Sequence, residues 1–566
     1  MFKIRSNISF IMIFSVVMIT LLFSVSITEA YASFEPKVYS NATLVDQFSD
    51  DELILVLSHE QSMINKTYTP ADFPEIDCYS VEDVTADLYQ KLITQQSEGY
   101  IPGENELIIE PDTFRRILLL TLTESGKQNV LNAMYELEDN PFIVSVFPNA
   151  INQFEPIPET EPLERQAANL GYIMNMKIDA AWNIEEGSFD VSVGIIDSGI
   201  DGNHPDLEGR LDEEISKDFS RNEENPSNDP FLDSYGHGTA VAGIIGAKHN
   251  DYLASGVCKK VNLVSLKISE GLSEGQFFMI SMIEAVVYSA VMDIPILNFS
   301  NTTYFSHALL VAINMYPGLF VGIPGNLMDA NLTEGNVEIY PSYPALYTND
   351  NILIVGSCDL NDERGITSTY GEVSVDLFAV GVDISVLTPS NNQNITQLTM
   401  TTSTGTSFAA PFVTGVAALL KARNPDLSVI DIKNIIMNTV DECDALDGLC
   451  VTGGRLNAYR AVTYHIHSAQ NYISLGIHAG HSGVCSVCNE TFTEEHSWTE
   501  MISYYKCFKC GLQSVAIPVP ITSLPPEVVF ALQSGQYSEM DKVYIGNEII
   551  LYYLNGNFCL LAEVAE

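Results

Sequence analysis

The sequence predicts a doubly wound α/β domain with a mostly parallel sheet, flanked by a small N-terminal α/β domain and a C-terminal cysteine-rich module. Several short, uniformly apolar segments occupy the middle of the chain, and such segments are typical of parallel strands covered by helices on both faces. These segments are VSVGIID (191–197), VNLVSLKI (261–268), IPILNFS (294–300), LFVGIPG (319–325) and NILIVGSC (351–358). Helical patterns accompany them, notably at 237–247 and 409–423. A ligand site is therefore expected beyond the carboxyl ends of the strands.

Length and charge exclude some classes of protein. A chain of 566 residues is expected to form roughly two to four domains. The 26 basic and 73 acidic residues give a net charge of −47, which would repel a polyanion, so no nucleic-acid partner is expected. The plain interpretation of this charge is a solvated acidic surface that keeps the chain dispersed.

The N-terminus has the pattern of a secretory signal. Lys3 and Arg5 precede an apolar segment at 8–27, and the sequence AYA follows at 30–32. A positive start, an apolar middle and an Ala-x-Ala end predict a signal peptide over 1–32, and hence a secreted or cell-surface protein. The apolar segment is also long enough to span a bilayer, so an uncleaved anchor is the alternative and the one membrane contact expected.

Residues 33–165 are predicted to form a small α/β domain that ends in an exposed linker. The elements expected in it are strands at 52–58, 116–122 and 143–149, a helical segment between the first two strands, and a second helix at 126–139. The stretch QFEPIPETEPLERQ (153–166) is rich in Pro and Glu. It is therefore expected to be extended, exposed and open to proteolysis.

Four polar residues of the large domain lie at strand ends or helix starts: Asp197, His237, Asn326 and Ser407. A serine that opens a helix is most often a simple N-cap. The alternative is a nucleophile, which needs a base, and His237 suits this role because imidazole titrates near neutrality. Asp197 would orient that imidazole, while the Asn326 amide and the Ser407 N–H would stabilise negative charge on the attacked oxygen. Pro411 is expected in the first turn of the helix, where its missing donor costs nothing.

The sequences around these residues resemble the motifs of the subtilisin-like serine peptidases, or subtilases. The motifs are DSGIDGNHPDL (197–207), GHGTAVAG (236–243) and GTSFAAP (405–411), and their order Asp, His, Ser is that of subtilisin. The resemblance covers about 170–462 and places a peptidase domain at 166–465. It implies a subtilisin-like fold and an endopeptidase that hydrolyses protein or peptide substrates through an acyl-enzyme on Ser407. It also implies that 33–165 is a propeptide that inhibits the enzyme, so that the chain is a zymogen.

The same resemblance suggests which residues bind substrate. The segment ILNFSN (296–301) is similar to the family strand that pairs with the substrate backbone, which makes Ser300 and Asn301 substrate-binding residues. Gly325 is expected to bind substrate as well. The family commonly has Ser-Leu-Gly where this chain has Ser300, Asn301 and Thr302. The larger side chains are expected to reshape the specificity pocket.

A structural calcium ion is also implied by the resemblance, because one loop has the spacing of the subtilisin loop that holds calcium. Asp206 and Asn250 would be side-chain ligands, since calcium prefers oxygen donors. The main-chain carbonyls of Lys248, Tyr252 and Ala254 would complete the site. An ordinary solvated loop is the alternative, because Lys248 and Tyr252 depart from the usual pattern.

Four of the ten cysteines have the spacing of a zinc ribbon. They form two C-x2-C pairs, Cys485 with Cys488 and Cys507 with Cys510. Four thiolates would hold a structural zinc ion in the module at 466–566, whereas an oxidising exterior would favour disulfides among them instead. Cys443 and Cys450 bracket a short turn and are candidates for a disulfide. The remaining cysteines are expected to pack singly.

Two other functions compete with the peptidase. One is a catalytically silent binding protein on the same scaffold, which the presence of all four polar residues disfavours. The other is a metal-dependent hydrolase that uses the cysteine cluster. It is disfavoured because four protein ligands leave no open coordination position. A serine-reactive fluorophosphonate probe separates the three, since only the peptidase is labelled at Ser407.

The C-terminal module is predicted to bind one zinc ion that takes no part in catalysis. Replacing Cys485→Ser together with Cys488→Ser should reduce the zinc content, measured by elemental analysis of the purified chain, from one ion per chain to nearly none. The reason is that two of four thiolate ligands are lost. Disulfides among the four cysteines, detected by mass spectrometry, would contradict the prediction.

Overall fold

The computed structural model describes most of the chain from residue 37 to residue 464 and, beyond it, the backbone of nine strands. Within the first range it omits residues 39, 41, 98–99, 104–105, 155–170, 222–227, 250–253, 270–274, 328–334 and 391–399. The chain divides into two compact units, Met1–Tyr464 and His465–Glu566. Among the residues described, no helix is both long and apolar enough to cross a membrane. The predicted signal peptide at 1–32 lies outside the described residues.

The N-terminal part of the first unit is built on an antiparallel sheet with strand order β2-β3-β1-β4. Its strands are β1 (Phe48–Leu57), β2 (Cys78–Asp83), β3 (Ile117–Leu122) and β4 (Ile143–Gln153). Its helices are α1 (His59–Ser62), α2 (Ala86–Gln95) and α3 (Lys127–Leu137), with 3-10 turns at Pro70–Asp72 and Pro111–Thr113. A fifth strand from the large domain, Gln276–Phe278, pairs with β4 and extends this sheet.

Strand β1 illustrates how this sheet is buried on both faces. Side chains alternate between the two faces along a strand. Leu53 and Leu55 belong to a small core that includes Leu137 of α3. Ile54 and Val56 belong instead to the core of the large domain. The sheet therefore packs against its own helix through one face and against the large domain through the other.

A nine-stranded sheet forms the centre of the large domain, in the order β15-β16-β12-β11-β10-β9-β5-β7-β6. Its strands are β5 (Gly187–Asp197), β6 (Lys217–Asp218), β7 (Lys260–Lys267), β9 (Ile296–Asn298), β10 (Leu319–Gly322), β11 (Ile352–Cys358), β12 (Leu377–Val380), β15 (Asp441–Glu442) and β16 (Gly454–Arg455). The strand from the preceding sheet is β8 (Gln276–Phe278), and a hairpin is formed by β13 (Ile384–Leu387) and β14 (Met400–Ser403). Every pairing is parallel except that of β15 with β16.

The helices of the large domain cover this sheet. They are α4 (Gly171–Asn175), α5 (Ile178–Ala181), α6 (His237–Gly246), α7 (Met279–Val291), α8 (His307–Met315), α9 (Thr406–Arg423), α10 (Val429–Asn438) and α11 (Ala458–Thr463), with a 3-10 turn at Asp444–Leu446. Every residue of β10 and β11 is buried, as expected for strands covered on both faces. Helix α9 is buried continuously from Thr406 to Leu420, which explains why it is hydrophobic all round.

The predicted doubly wound, mostly parallel sheet is confirmed. All five apolar segments contain strands, although the segment 294–300 forms only the three-residue strand β9. In the N-terminal domain the three predicted strands and the helix at 126–139 are present, the latter as α3. The structure adds β2 and β8, which lack long apolar runs and were not predicted.

The described backbone of the second unit consists of two antiparallel sheets. The strands are β17 (Tyr472–Ser474), β18 (His481–Val484), β19 (Thr491–Glu494), β20 (Trp498–Glu500), β21 (Tyr505–Cys507), β22 (Gln513–Pro518), β23 (Lys542–Ile545), β24 (Ile549–Leu554) and β25 (Asn557–Glu563). Their orders are β17-β18-β19 and β20-β21-β22-β25-β24-β23. Cys507 ends β21. Cys485, Cys488 and Cys510 lie outside the described residues, so the zinc site stays a prediction.

The prediction of a disulfide between Cys443 and Cys450 is wrong, because both residues are free thiols. The Cys443 thiol donates to the Asp441 carbonyl at 3.1 Å. The Cys450 sulfur lies 3.7 Å from the Thr452 hydroxyl. Each thiol thus has a polar contact within two residues of itself along the chain. Cys78, Cys258 and Cys358 are buried free thiols, as predicted.

Candidate active site

Three chain segments meet at the carboxyl edge of the parallel sheet. Asp197 is the last residue of β5, His237 is the first residue of α6, and Ser407 is the second residue of α9. Their exposed fractions are 0%, 2% and 3%. Parallel strands end at the same edge, so the sequence brings these side chains together even though more than 200 residues separate the first from the last.

The Asp197 carboxylate holds the His237 ring. Both carboxylate oxygens lie 2.9 Å from His237 Nδ1, and the backbone N–H of Ser198 donates to Asp197 Oδ1 at 2.7 Å. A carboxylate at Nδ1 favours a proton on that nitrogen and leaves Nε2 as the basic nitrogen. The rings of Phe154 and Phe408 each lie 5.7 Å from the imidazole, centroid to centroid.

A second buried carboxylate, Asp233, organises the backbone around this pair. It accepts hydrogen bonds from the Ser198 hydroxyl at 2.9 Å, the Gly236 N–H at 2.7 Å, and the Thr239 N–H and hydroxyl at 2.9 and 2.6 Å. Burial raises the pKa of Asp233, and the hydrogen bonds from Thr239 act in the opposite direction. Sequence analysis missed this residue, because the N-cap of α6 is Gly236 and an Asp three positions before the N-cap is not a recognised capping signal.

The start of α6 approaches the end of β5 as closely as backbones allow. A Cβ atom on Gly238 would lie 2.0 Å from the Gly199 carbonyl oxygen and 3.1 Å from Asp197 Cβ. Only glycine fits at this contact. The glycine therefore sets the distance at which the carboxylate can reach the imidazole.

Ser407 and Ser300 form a reciprocal pair of hydrogen bonds. The Ser407 hydroxyl donates to the Ser300 carbonyl at 3.0 Å, and the Ser300 hydroxyl donates to the Ser407 carbonyl at 2.9 Å. The second bond explains how the helix accommodates Pro411. This proline was expected in the first turn, but it lies in the second turn because α9 begins at Thr406. Proline cannot donate to the carbonyl four residues earlier, which is that of Ser407, and Ser300 supplies the missing donor.

Asn326 lies beside the start of α9. Its Oδ1 accepts a hydrogen bond from the Thr406 N–H at 2.9 Å, which fixes which end of the amide faces the helix. Its Nδ2 lies 3.3 Å from the position that a Cβ on Gly405 would take. The amide is therefore held next to Ser407 by its oxygen, and its NH₂ group is the end that can stabilise a reacting oxygen.

The three residues expected to bind substrate surround this centre. Asn301 Nδ2 donates to the Gln153 carbonyl at 3.4 Å. Gly325 has a φ of +105°, and a Cβ there would lie 3.0 Å from Thr302 Cγ2. The Ser300 carbonyl already accepts the Ser407 hydroxyl. The structure thus brings Ser300, Asn301 and Gly325 to the edge of the sheet that carries the four polar residues.

The start of the expected exposed linker is buried instead. Phe154 is 1% exposed and packs on His237, whereas 153–166 was expected to be exposed. The Phe154 N–H donates to the Gly275 carbonyl at 2.9 Å, which continues the pairing of β4 with β8. The prediction failed at this residue because Pro and Glu dominate the composition of the segment. Residues 155–170 lie outside the described residues.

The predicted calcium site is described only in part. The Asp206 carboxylate is buried, and its Oδ2 accepts the Ala254 N–H at 3.3 Å, while the Lys248 N–H donates to the Asp206 carbonyl at 2.9 Å. These contacts bring Asp206 to the expected loop. Asn250 and Tyr252 lie outside the described residues. Within the residues the structure describes, no group of three or more His, Cys, Asp or Glu could hold a metal ion.

A carboxylate, an imidazole and a helix-opening serine at the ends of parallel strands are the constituents of a serine hydrolase. Comparison with known proteins narrows this class. The model of the subtilase family matches residues 188–456. Thermitase of Thermoactinomyces vulgaris is 32% identical over 289 residues, which are 50% of this chain and 92% of that protein. A thermophilic serine proteinase of Bacillus sp. (strain AK1) is 31% identical over 296 residues, 51% of this chain and 66% of that protein.

A solved structure supports the same fold. The crystal structure of fervidolysin from Fervidobacterium pennivorans, a keratinolytic enzyme related to subtilisin, matches with a TM-score of 0.53 at 17% identity, over 78% of this chain and 64% of that one. The present chain belongs to the subtilase family. It is a serine endopeptidase.

The position of Asn326 predicts the effect of its removal. Asn326→Ala should lower kcat by about 10²–10³ with little change in KM, because the amide stabilises charge that develops only in the transition state. Steady-state kinetics on a peptide substrate, with active sites counted by fluorophosphonate labelling, measures this. A large rise in KM at unchanged kcat would assign Asn326 to substrate binding instead.

Proposed function

We propose that the chain is an exported zymogen whose peptidase domain hydrolyses peptide bonds through an acyl-enzyme on Ser407. In this proposal, residues 33–165 fill the substrate cleft until they are cleaved away. The observation that carries the proposal is the course of β4, which runs to the active site and is followed directly by Phe154, packed on His237.

The catalytic cycle follows from the contacts of the site. The Ser407 hydroxyl first gives up its hydrogen bond to the Ser300 carbonyl. His237 then removes its proton while Ser407 Oγ attacks the substrate carbonyl carbon. Asp197 stabilises the imidazolium that forms. The oxyanion of the tetrahedral intermediate accepts hydrogen bonds from the Asn326 NH₂ group and the Ser407 N–H. His237 then protonates the leaving amine, and water releases the acyl group by the same steps with Ser407 as the leaving group.

The end of β4 is bound in the way expected of a substrate backbone. It pairs antiparallel with β8, with Ile151 opposite Phe278 and Gln153 opposite Gln276. On its other side Asn301 donates to the Gln153 carbonyl. Main-chain pairing of this kind depends little on sequence, so it suits both an inhibitory segment and many peptide substrates.

Charged contacts hold the N-terminal domain against the peptidase domain. The Lys91 ammonium lies 2.5 Å from the Asp293 carboxylate and donates to the Ala290 carbonyl at 2.8 Å, near the C-terminus of α7 where a cation is favoured. Arg221 lies 2.6 Å from Glu284 of α7 and 3.4 Å from Glu82 of β2. These contacts, with the shared apolar face, support a domain that inhibits its own enzyme.

The surroundings of the enzyme are also part of the proposal. The N-terminal signal pattern and the net charge of −47 support a secreted or cell-surface enzyme. Calcium at the Asp206 loop and zinc in the C-terminal module would have structural roles, because neither site includes Ser407 or His237. The sequence around Ala32 is the expected site of signal cleavage, with an uncleaved anchor as the alternative.

Loss of the nucleophile should abolish hydrolysis without unfolding the chain. Ser407→Ala removes one oxygen from a site already formed by other residues, so its thermal unfolding midpoint should match that of the wild type. Fluorophosphonate labelling and peptide hydrolysis should both fall to background. The variant should also accumulate as uncleaved precursor, seen by mass spectrometry, if maturation is autocatalytic. Near-normal turnover in this variant would refute the assignment of Ser407, and a silent binding protein would leave the wild type unlabelled.

The inhibitory contact of Phe154 can be tested in the full chain. Phe154→Ala should raise the fraction of freshly purified chain that fluorophosphonate labels, because about 1.5–3 kcal/mol of apolar burial in the cleft is lost. The matched control is Phe142→Ala, at a phenylalanine of the same domain that is 53% exposed. An equal labelled fraction in both variants and the wild type would show that the N-terminal domain does not block the site.

A further inference from the structure

We propose that the pocket occupied by Phe154 is a specificity pocket that selects substrates with an aromatic side chain at the second residue before the bond that is cleaved, because the carbonyl of the bound residue is held by Tyr235 and not by Asn326. Tyr235 and Phe277 are the residues that determine this selection. We refer to Tyr235, His237, Gly275 and Phe277 together as the aromatic pocket. The inference rests on the proposed function, because the pocket receives substrates only if cleavage takes place at Ser407.

Three rings enclose the Phe154 side chain. Its centroid lies 5.0 Å from Phe277 at an interplanar angle of 43°, 6.0 Å from Tyr235 at 38°, and 5.7 Å from His237 at 37°. Tilted contacts at these distances are favourable between aromatic rings beyond the area they bury. An alanine or a serine at the same position would leave all three faces without a partner.

Tyr235 holds the bound residue at two points. Its ring packs on the Phe154 side chain, and its hydroxyl donates to the Phe154 carbonyl at 3.2 Å. The backbone of the bound residue is held from the opposite side by the Gly275 carbonyl, which accepts the Phe154 N–H at 2.9 Å. Such contacts fix the direction in which the bound side chain points, and the pocket therefore reads one defined position of a bound peptide.

Gly275 keeps the pocket open. Its φ is +62°, and a Cβ there would lie 2.9 Å from Tyr235 Cε2 and 3.2 Å from Phe154 Cβ. A larger residue would therefore push into both the wall and the occupant. The tight contact shows that Gly275, Tyr235 and the aromatic occupant fit one another closely.

The floor of the pocket is rigid. Phe277 is fully buried and contacts Phe299 edge-on at 6.3 Å, and Phe299 in turn contacts Phe320 at 6.2 Å. These rings continue into the core of the large domain. The pocket cannot easily collapse onto a small side chain, so an unfilled pocket costs binding energy.

The aromatic pocket lies next to the catalytic residues. His237, the base in the proposed cycle, forms one of its walls, and the residue just before the occupant, Gln153, contacts Asn301, which adjoins the Ser300–Ser407 pair. A side chain that touches the base belongs to a residue close to the attacked carbonyl. Filling the pocket therefore helps to place the carbonyl at Ser407, and the selection should appear in kcat/KM.

The test uses the full-length chain and internally quenched peptides that differ at a single position. Active enzyme is counted by fluorophosphonate labelling, so that rates refer to labelled Ser407 whatever fraction has matured. A peptide library first locates the cleavage sites, and Phe, Tyr or Trp should be the second residue before the cleaved bond. Replacing that aromatic residue by Ala in the best peptide should lower kcat/KM about 10- to 100-fold.

The variants assign the selection to the pocket. Tyr235→Ala should reduce the preference for Phe over Ala to about threefold or less, and Phe277→Leu, which conserves bulk in the core, should weaken it in the same direction. Tyr340→Ala, at a tyrosine that is 49% exposed, is the matched control and should keep the full preference. A wild-type enzyme that is labelled and hydrolyses Phe and Ala peptides equally well would overturn the inference alone. A chain that is neither labelled nor active would overturn the proposed function and the inference with it.

Discussion

The contact on which the rest of the site depends is that between the Asp197 carboxylate and the His237 ring. Burying a carboxylate completely is costly unless its oxygens are paired. Here both oxygens face Nδ1, and one also accepts the Ser198 N–H. The pairing is made by bringing α6 against the end of β5, and only glycine at 238 permits that approach. The residues around the site keep the start of α6 in contact with the end of β5.

The support extends beyond the pair itself. Asp233 connects the Ser198 hydroxyl to the start of α6, so hydrogen bonds link the loop after β5 to the start of the helix. On the other side, Pro411 removes one hydrogen bond from α9, and the Ser300 hydroxyl takes its place at the Ser407 carbonyl. In both places a side chain at the site forms a hydrogen bond with a backbone group: Asp233 accepts from backbone N–H groups of α6, and Ser300 donates to the Ser407 carbonyl. The nucleophile and the base are thereby positioned by residues that take no part in proton transfer.

The sequence was sufficient to predict the large sheet, because its strands are buried on both faces and appear as continuous apolar runs. It was also sufficient to predict which residues meet at the sheet edge, since Asp197, His237 and Ser407 each lie at the end of a strand or the start of a helix. It could not predict β8, which is three residues long and gains its strand geometry by pairing with β4. Phe154 was missed for the same reason. Composition described its neighbours as an exposed linker, and the contacts that bury it come from residues more than 80 positions away.

Strand β8 belongs to the large domain in sequence and to the N-terminal sheet by its pairing with β4. It completes the N-terminal sheet by pairing with the end of β4, and in the proposed function it is also the edge that binds substrates. In the proposed function a substrate pairs with the same main-chain groups of β8 that β4 occupies, so the two exclude each other. The proposed inhibition therefore needs no change of shape in the peptidase domain, only the presence of β4. Its relief requires that β4 leave its place, and the apolar face of β1 and the Lys91–Asp293 contact oppose that step. In the proposed zymogen, cutting the chain beyond Phe154 would remove the covalent tether and lower the effective concentration of the segment at the cleft, so cleavage in this region would be the step that commits the enzyme to other substrates.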